Sequence, residues 1–326
     1  MTSFVGIDVS KRKLDVALLL PEGRYRLSGF GNDAAGFAAL ARWLDKTVPQ
    51  GRHSVHTCME ATGTYHEALA LWLHEHGVKV SLVNPAQIKH FLASEMVRHK
   101  TDGGDAQGLA RFAQRHQPAA WVPPTPTVRA LQALVARVHA VEAMRQSERN
   151  RLDVAHESVR PSIQDIIASL ERTLQQLNQQ IEHTIDDDPD LHRRQELLDT
   201  IPGLGTKTIP TLLAYIGEPS RFTSVKALIA YCKLAPCIRQ SGSSLDKRRG
   251  THPMGRSEIK RALYFPAMVA GQHNPLLAVF WQRMQANNKP GKLVVEACMH
   301  KLLSIAFGVL RSGRPFDPAY PASQRA

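Results

Sequence analysis

The sequence predicts an α/β protein. A mixed β-sheet covered by helices spans about residues 1–120, followed by a helical hairpin and a mostly helical C-terminal region. Three observations carry this. Short apolar strand signals alternate with amphipathic helix signals through the first 120 residues, with three strand signals in a row at the start. A proline-rich break, WVPPTPT at 121–127, ends that pattern. Beyond it, apolar residues recur at helical spacings of three and four.

FVGIDVS (4–10) reads as a strand ending in a polar cluster, LDVALLL (14–20) as a second strand and Tyr25–Phe30 as a third. Asn32-Asp33 caps a helix running to about Asp45, with Phe37, Leu40, Ala41 and Leu44 on one face. HSVHTCME (53–60) alternates apolar and polar residues, as a strand does. Thr62-Gly63-Thr64 opens a helix to about His76, on which Leu69, Trp72 and Leu73 face inward and Tyr65 also reads as core. Val78–Val83 is a further strand, closed by Asn84-Pro85, and two helices follow at about 85–95 and 103–115.

Past the break, Val128, Leu131, Val135 and Val138 mark one long helix. Ile163, Ile167, Leu170, Leu174, Leu177 and Ile181 mark a second. Together they read as an antiparallel hairpin or coiled coil over about 125–190, with a plain helical bundle left open. The acidic run Asp186–Asp190 reads as a turn and helix cap. LLDTIPGLGTKTIPTLLAYIG (197–217) reads as a helix-hairpin-helix, whose glycine turn can offer backbone N–H groups to phosphate. It opens a third domain, 195–326. Within that domain, 239–268 is a polar, basic loop that ends in a helix.

At 326 residues and 43% hydrophobic, the chain can bury a sizeable core. No continuous apolar run reaches the ~20 residues of a membrane span, and the N-terminus MTSFVGIDVS does not read as a signal peptide. Both point to the cytoplasm and to no membrane partner. Cys58, Cys232, Cys237 and Cys298 form no Cys-x-x-Cys pair and read as reduced, buried thiols. The 15 histidines show no metal-ligand spacing. Residues 1–194 carry 23 Lys and Arg against 22 Asp and Glu, whereas 195–326 carry 18 against 7. A basic excess confined to one region is the footprint expected for a polyanion partner. Lys247, Arg248, Arg249, Arg256, Lys260 and Arg261 place six cations within 15 residues and are the candidate nucleic-acid contacts. Lys11, Arg12 and Lys13 are weaker candidates, equally well read as a charged turn.

Four carboxylates stand where an α/β fold can bring them together. Asp8 lies at the end of the first strand and Glu60 at the end of a later one. Asp102 and Asp105 share a helix start and, three residues apart, one helix face. Hard divalent cations take oxygen ligands, and phosphate chemistry uses one or two such ions. Each acid by itself reads more readily as a turn, surface or helix-start residue than as a ligand.

GIDVSK, EATGTY, NPAQIKHF, KTDGGDA, IPGLGTKT and QSGSS occur in one order along the whole chain. In that order and spacing the chain resembles the DEDD-type transposases of insertion-sequence family 110, RuvC-like recombinases associated with a bridge RNA. The resemblance implies a ribonuclease-H-like (RuvC-like) fold for 1–120. It places the family's Asp, Glu, Asp, Asp set on Asp8, Glu60, Asp102 and Asp105, holding Mg²⁺ or Mn²⁺. It implies a serine nucleophile at Ser241, which the residues alone do not separate from Ser243 or Ser244. Gly103-Gly104 is a mild variant of the family pattern and leaves both aspartates in place. The implied partners are donor and target DNA and a guide RNA that pairs with both. The hairpin seam adds a homo-oligomer, dimer or tetramer. Two other readings stay open on the residues: a hydrolytic nuclease of junction-resolvase type, and a non-catalytic nucleic-acid-binding protein whose acids are structural.

Overall fold

A computed structural model describes residues 2–61, 63–95, 102–241, 245–251 and 255–319, without the side chains of 102, 103, 238–241 and 245–251. The chain divides into two compact units, Met1–Pro123 and Pro124–Ala326.

The first unit is a five-stranded mixed sheet clad by helices. Strands β1 (Ser3–Val9), β2 (Lys13–Leu19) and β3 (Tyr25–Gly31) form an antiparallel meander. Helix α1 (Ala34–Thr47) follows, then β4 (Val55–Glu60), parallel to β1. After α2 (Glu67–Glu75) comes β5 (Lys79–Val83), parallel to β4, then α3 (Pro85–Ser94) and α4 (Asp102–His116). The strand order is β3-β2-β1-β4-β5, consistent with a ribonuclease-H-like transposase domain. Alternation along the strands sends side chains to two faces. Val5, Ile7, Val16 and Met59 pack on one face with Phe37, Leu40 and Leu44 of α1 and Leu69 and Leu73 of α2. On the other, Phe4, Cys58 and Val83 pack with Ile88 and Phe91 of α3 and Leu109 and Phe112 of α4.

Local signals set the helix starts. The Asp33 carboxylate accepts the Gly36 N–H at 2.7 Å, and Asn84 with Gln87 forms a capping box before Pro85. Two elements differ from the sequence reading. Residues 52–54 form a short 3-10 turn, so β4 starts at Val55. Helix α2 starts at Glu67, because Gly63 takes φ +60° and Thr64 accepts the Glu67 N–H in a turn. Tyr65 therefore stands before the helix and is 49% exposed, not core.

In the second unit, α5 (Pro126–Val154) and α6 (Arg160–Asp186) form an antiparallel hairpin. Arg149 pairs with Glu171 at 2.7 Å toward its distal end. At the other end Val128, Leu131 and Val135 share a core with Ile181 and Ile185. The seam is only half-buried at Ile163, Ile167 and Leu170. Next come α7 (Pro189–Asp199), capped by Asp188, then α8 (Ile209–Ile216) and α9 (Val225–Tyr231). Strands β6 (Pro236–Ser241) and β7 (Leu245–Thr251) follow, then α10 (Ser257–Ala262), α11 (Tyr264–His273), α12 (Pro275–Ala286) and α13 (Gly291–Ser312). One hydrophobic cluster runs from Val128 to Val309, so the base of the hairpin and the C-terminal helices are built on a common core. Helix α13 is long and apolar enough to cross a membrane by length and composition, yet its Val294, Cys298, Leu302, Leu303 and Phe307 are buried in that core.

The basic segment read as a loop is an antiparallel ribbon, with Ser241 opposite Leu245. Its strands carry polar and charged residues such as Lys247, Arg248 and Arg249 with little apolar alternation, so the period-two signal that marks a half-buried strand is missing.

Candidate carboxylate site and serine hairpin

In the first unit, register places two of the four acids. Ile7 of β1 is paired with Met59 of β4, so the next residues, Asp8 and Glu60, stand side by side at the same end of the sheet. They follow the parity of Gly6 and Cys58, which puts them on the face covered by α4. Gly6 permits that cover. A Cβ at Gly6 would lie 1.9 Å from the Ala106 carbonyl oxygen and 2.5 Å from the Ala110 nitrogen, so only glycine lets α4 lie directly on β1. Phe4, two residues back along β1, packs into the cluster of Leu109, Phe112 and Ala113. Helix α4 therefore runs opposite to β1, and its first turn, with Asp102 and Asp105, lies at the end where Asp8 and Glu60 stand. Asp8, Glu60 and Asp105 are all half-buried. The Asp102 side chain lies outside the described residues. Among the described residues, no three His, Cys, Asp or Glu side chains are gathered closely enough to hold an ion. The donors that share this face are carboxylate oxygens, the chemistry a hard divalent cation takes.

Two residues of this neighbourhood escaped the sequence reading. Asp15 of β2 stands opposite Asp8, on the same face, and is paired with Lys13 at 2.6 Å. The Lys13 side chain is 57% exposed while it makes this pair. Asn32, read only as part of a helix start, donates from Nδ2 to the Ser10 carbonyl at 2.9 Å and the Tyr65 carbonyl at 3.1 Å. It ties together the loops that follow Asp8 and Glu60. The signal available was an Asn at a strand-to-helix junction, which by itself says only cap.

Behind Glu60 on β4, His56 and Cys58 are structural. Burial, then the charge of Lys79, lowers the His56 pKa to about 4, and its Nε2 meets Ser81 Oγ at 2.8 Å. Burial raises the Cys58 thiol to about 12, so no thiolate is available there.

In the second unit, Ser241 ends β6 at the tip of the ribbon. Its side chain, like those of Lys247, Arg248 and Arg249, lies outside the described residues, as do Ser243 and Ser244. The remaining basic candidates separate by their contacts. Arg256 donates from Nε to the Tyr231 hydroxyl at 3.1 Å, and its guanidinium lies 5.4 Å from the Tyr215 ring centroid. Lys260 pairs with Glu296 of α13 at 3.1 Å. Arg261 is exposed. In the turn between α7 and α8, a Cβ at Gly203 would lie 2.5 Å from the Ala270 Cβ of α11, while Gly205 faces open space.

A family profile described as a transposase matches residues 5–161, and one described as the transposase IS116/IS110/IS902 family matches residues 195–282. Over 321 residues the chain is 36% identical to the pilin gene-inverting protein of Moraxella bovis, covering 97% of this chain and 98% of that one. The Moraxella lacunata protein of the same name is also 36% identical over 321 residues, with the same 97% and 98% covered. The insertion element IS110 uncharacterized 43.6 kDa protein of Streptomyces coelicolor is 27% identical over 133 residues, 40% of this chain and 32% of that one. The chain belongs to the IS116/IS110/IS902 family of transposases.

Proposed function

We propose that this transposase cuts and rejoins DNA through a phosphoserine intermediate at Ser241, supported by a divalent-metal site on Asp8, Glu60, Asp102 and Asp105. The observation that carries the metal site is the shared face: Asp8 beside Glu60 at one sheet end, under the first turn of α4. The QSGSS segment, at the tip of the basic ribbon, supports Ser241. The relatives named pilin gene-inverting proteins support rejoining over simple cutting.

In this reading Ser241 Oγ attacks a phosphodiester phosphorus. The P–Oγ bond forms, the bond to the leaving sugar oxygen breaks, and the serine proton is transferred away as that oxygen is protonated. A hydroxyl of the other strand then attacks the phosphoserine and restores Ser241, so the bond is conserved and no ATP is needed. A serine hydroxyl is a weak nucleophile until it is activated. The four carboxylates would hold Mg²⁺ or Mn²⁺, which would supply charge stabilisation at the phosphate. The basic excess of 195–326, including the Lys247–Arg249 strand, Arg261 and the open side of the turn at Gly205, holds the nucleic-acid backbone. A guide RNA pairing with donor and target DNA supplies sequence specificity. Assembly as a dimer or tetramer through the 125–190 hairpin coordinates the cuts.

Denaturing electrophoresis with labelled DNA tests the reading. The parent should give a covalent adduct, and Ser241→Ala should bind nucleic acid but give no adduct and no strand exchange. Asp8→Asn and Glu60→Gln should lose metal-dependent activity by about 10²-fold or more. An adduct that persists in Ser241→Ala moves the nucleophile elsewhere. Cleavage by the parent with no adduct makes the protein a hydrolytic nuclease.

A further inference from the structure

The Ser241 ribbon springs from the end of α9. Lys233 takes φ +58°, the Leu234 N–H reaches back to the Ile229 carbonyl at 3.0 Å and the Lys233 N–H to Ala230 at 3.1 Å. That turn releases the chain into β6. The returning chain meets the same helix end. Gly255 takes φ +118°, and a Cβ there would lie 2.6 Å from the Ala230 oxygen and 2.7 Å from the Tyr231 oxygen. The Arg256 N–H then donates to the Tyr231 carbonyl at 2.6 Å. Its side chain, though exposed, reaches across to the Tyr231 hydroxyl at 3.1 Å and over the Tyr215 ring of α8. Both ends of the ribbon are thus fastened at one place. The Arg256 backbone N–H thus meets the end of α9 while its guanidinium bridges to α8.

From this geometry we infer that Arg256 is a positioning residue, one that clasps the base of the Ser241 ribbon to α8 and α9 rather than contacting a phosphate. A two-stranded ribbon has little stability of its own, so the aim of its tip depends on its base. Arginine suits the task and lysine does not, because the planar guanidinium both stacks on an aromatic ring and donates in a fixed direction. The inference rests on the reading of Ser241 as nucleophile.

The test compares Arg256→Lys, Arg256→Gln and Tyr231→Phe in the full chain. Three quantities are read: amide exchange across 236–251, strand-exchange rate, and the dependence of nucleic-acid affinity on salt. A clasp predicts faster amide exchange in the ribbon and strand exchange slowed by about 10- to 100-fold in all three variants. It also predicts no rescue by lysine, a double variant no slower than its slower parent, and an unchanged salt dependence. A phosphate contact predicts the opposite: Arg256→Lys close to the parent, Tyr231→Phe silent, and a slope of log affinity on log salt shallower by about 0.9 in Arg256→Gln. That result overturns the inference. Tyr231→Phe removes a single oxygen and keeps the test open if an arginine variant does not fold. Faster ribbon exchange with strand exchange at parental levels also overturns the inference, whereas an adduct that persists in Ser241→Ala overturns the reading of Ser241 and leaves the ribbon's fastening to be judged by amide exchange alone.

Discussion

In residues 1–123 the candidate acids stand on strand ends inside a sheet, pressed beneath a helix. In 124–326 the candidate serine stands at the tip of a two-stranded ribbon, fastened at one end to a helical core. The sheet fixes Asp8 and Glu60 through backbone register on both sides of β1, so their spacing is shared among many hydrogen bonds. The ribbon concentrates its positioning in the contacts of Gly255 and Arg256. Groups that must hold a small ion need the first arrangement, because metal geometry tolerates little movement. A nucleophile that must meet DNA, attack it and release it is served by the second.

Substitutions can break this comparison. The largest effect is expected at the centre of the helical core. Phe307→Ala should cost about 3–5 kcal/mol in urea unfolding, since Phe307 is 1% exposed and packs edge-on to Phe222. Peptide-resolved hydrogen exchange should show the loss across 124–326, and an equal loss in 1–123 would show that the two units unfold as one.

Gly6→Ala comes next, at about 3 kcal/mol, because the new methyl meets backbone of α4 that cannot step aside. It should also lower metal-dependent activity, as α4 carries Asp102 and Asp105 away from Asp8. A Gly6→Ala protein with parental stability and activity would disprove the placement of α4 and the shared carboxylate face with it.

A smaller effect should appear with pH. His56 is held neutral in the folded sheet, with its pKa lowered from 6.5 to about 4. The unfolded chain takes up the proton first, so stability is full above pH 6.5 and falls as pH drops toward 4. Unfolding curves across that range should flatten in His56→Gln once its lower starting stability is subtracted; a parent with pH-independent stability there would show that His56 is solvated.

The smallest change is expected at the solvent-exposed tip of the hairpin. Arg149→Ala breaks the Arg149–Glu171 pair, both of whose side chains are nearly half exposed, and should shift stability by no more than about 0.5 kcal/mol. A loss of several kcal/mol would mean that this tip is buried against a partner.

The strands of the first unit were legible because Val5, Ile7, Val16 and Leu18 alternate with residues of the other face, and α1 because Asp33 caps it ahead of an apolar stripe. The start of α2 was not, since Thr62-Gly63-Thr64 resembles a helix opening, whereas Gly63 takes a positive φ and a turn from Thr64 to Glu67 precedes the helix. The ribbon was hidden for a different reason: its strands PCIRQS and LDKRRGT lack a sustained apolar alternation, and only their pairing across the turn defines it. Arg256 looked like one more member of a basic run, as nothing local distinguishes it from Arg248 or Arg249.

The sequence by itself determined the order of strands and helices in the first unit, the proline break and the skew of positive charge. These are properties of neighbours along the chain: periodicity, capping chemistry and composition. Tertiary structure alone decided that Asp15 stands beside Asp8, that Gly6 admits α4 to the sheet, that Asn32 joins two loops and that Arg256 reaches the Tyr231 hydroxyl. Each of these depends on residues brought together by strand register or by close approach of one backbone to another, and such distances are fixed only once the chain has folded.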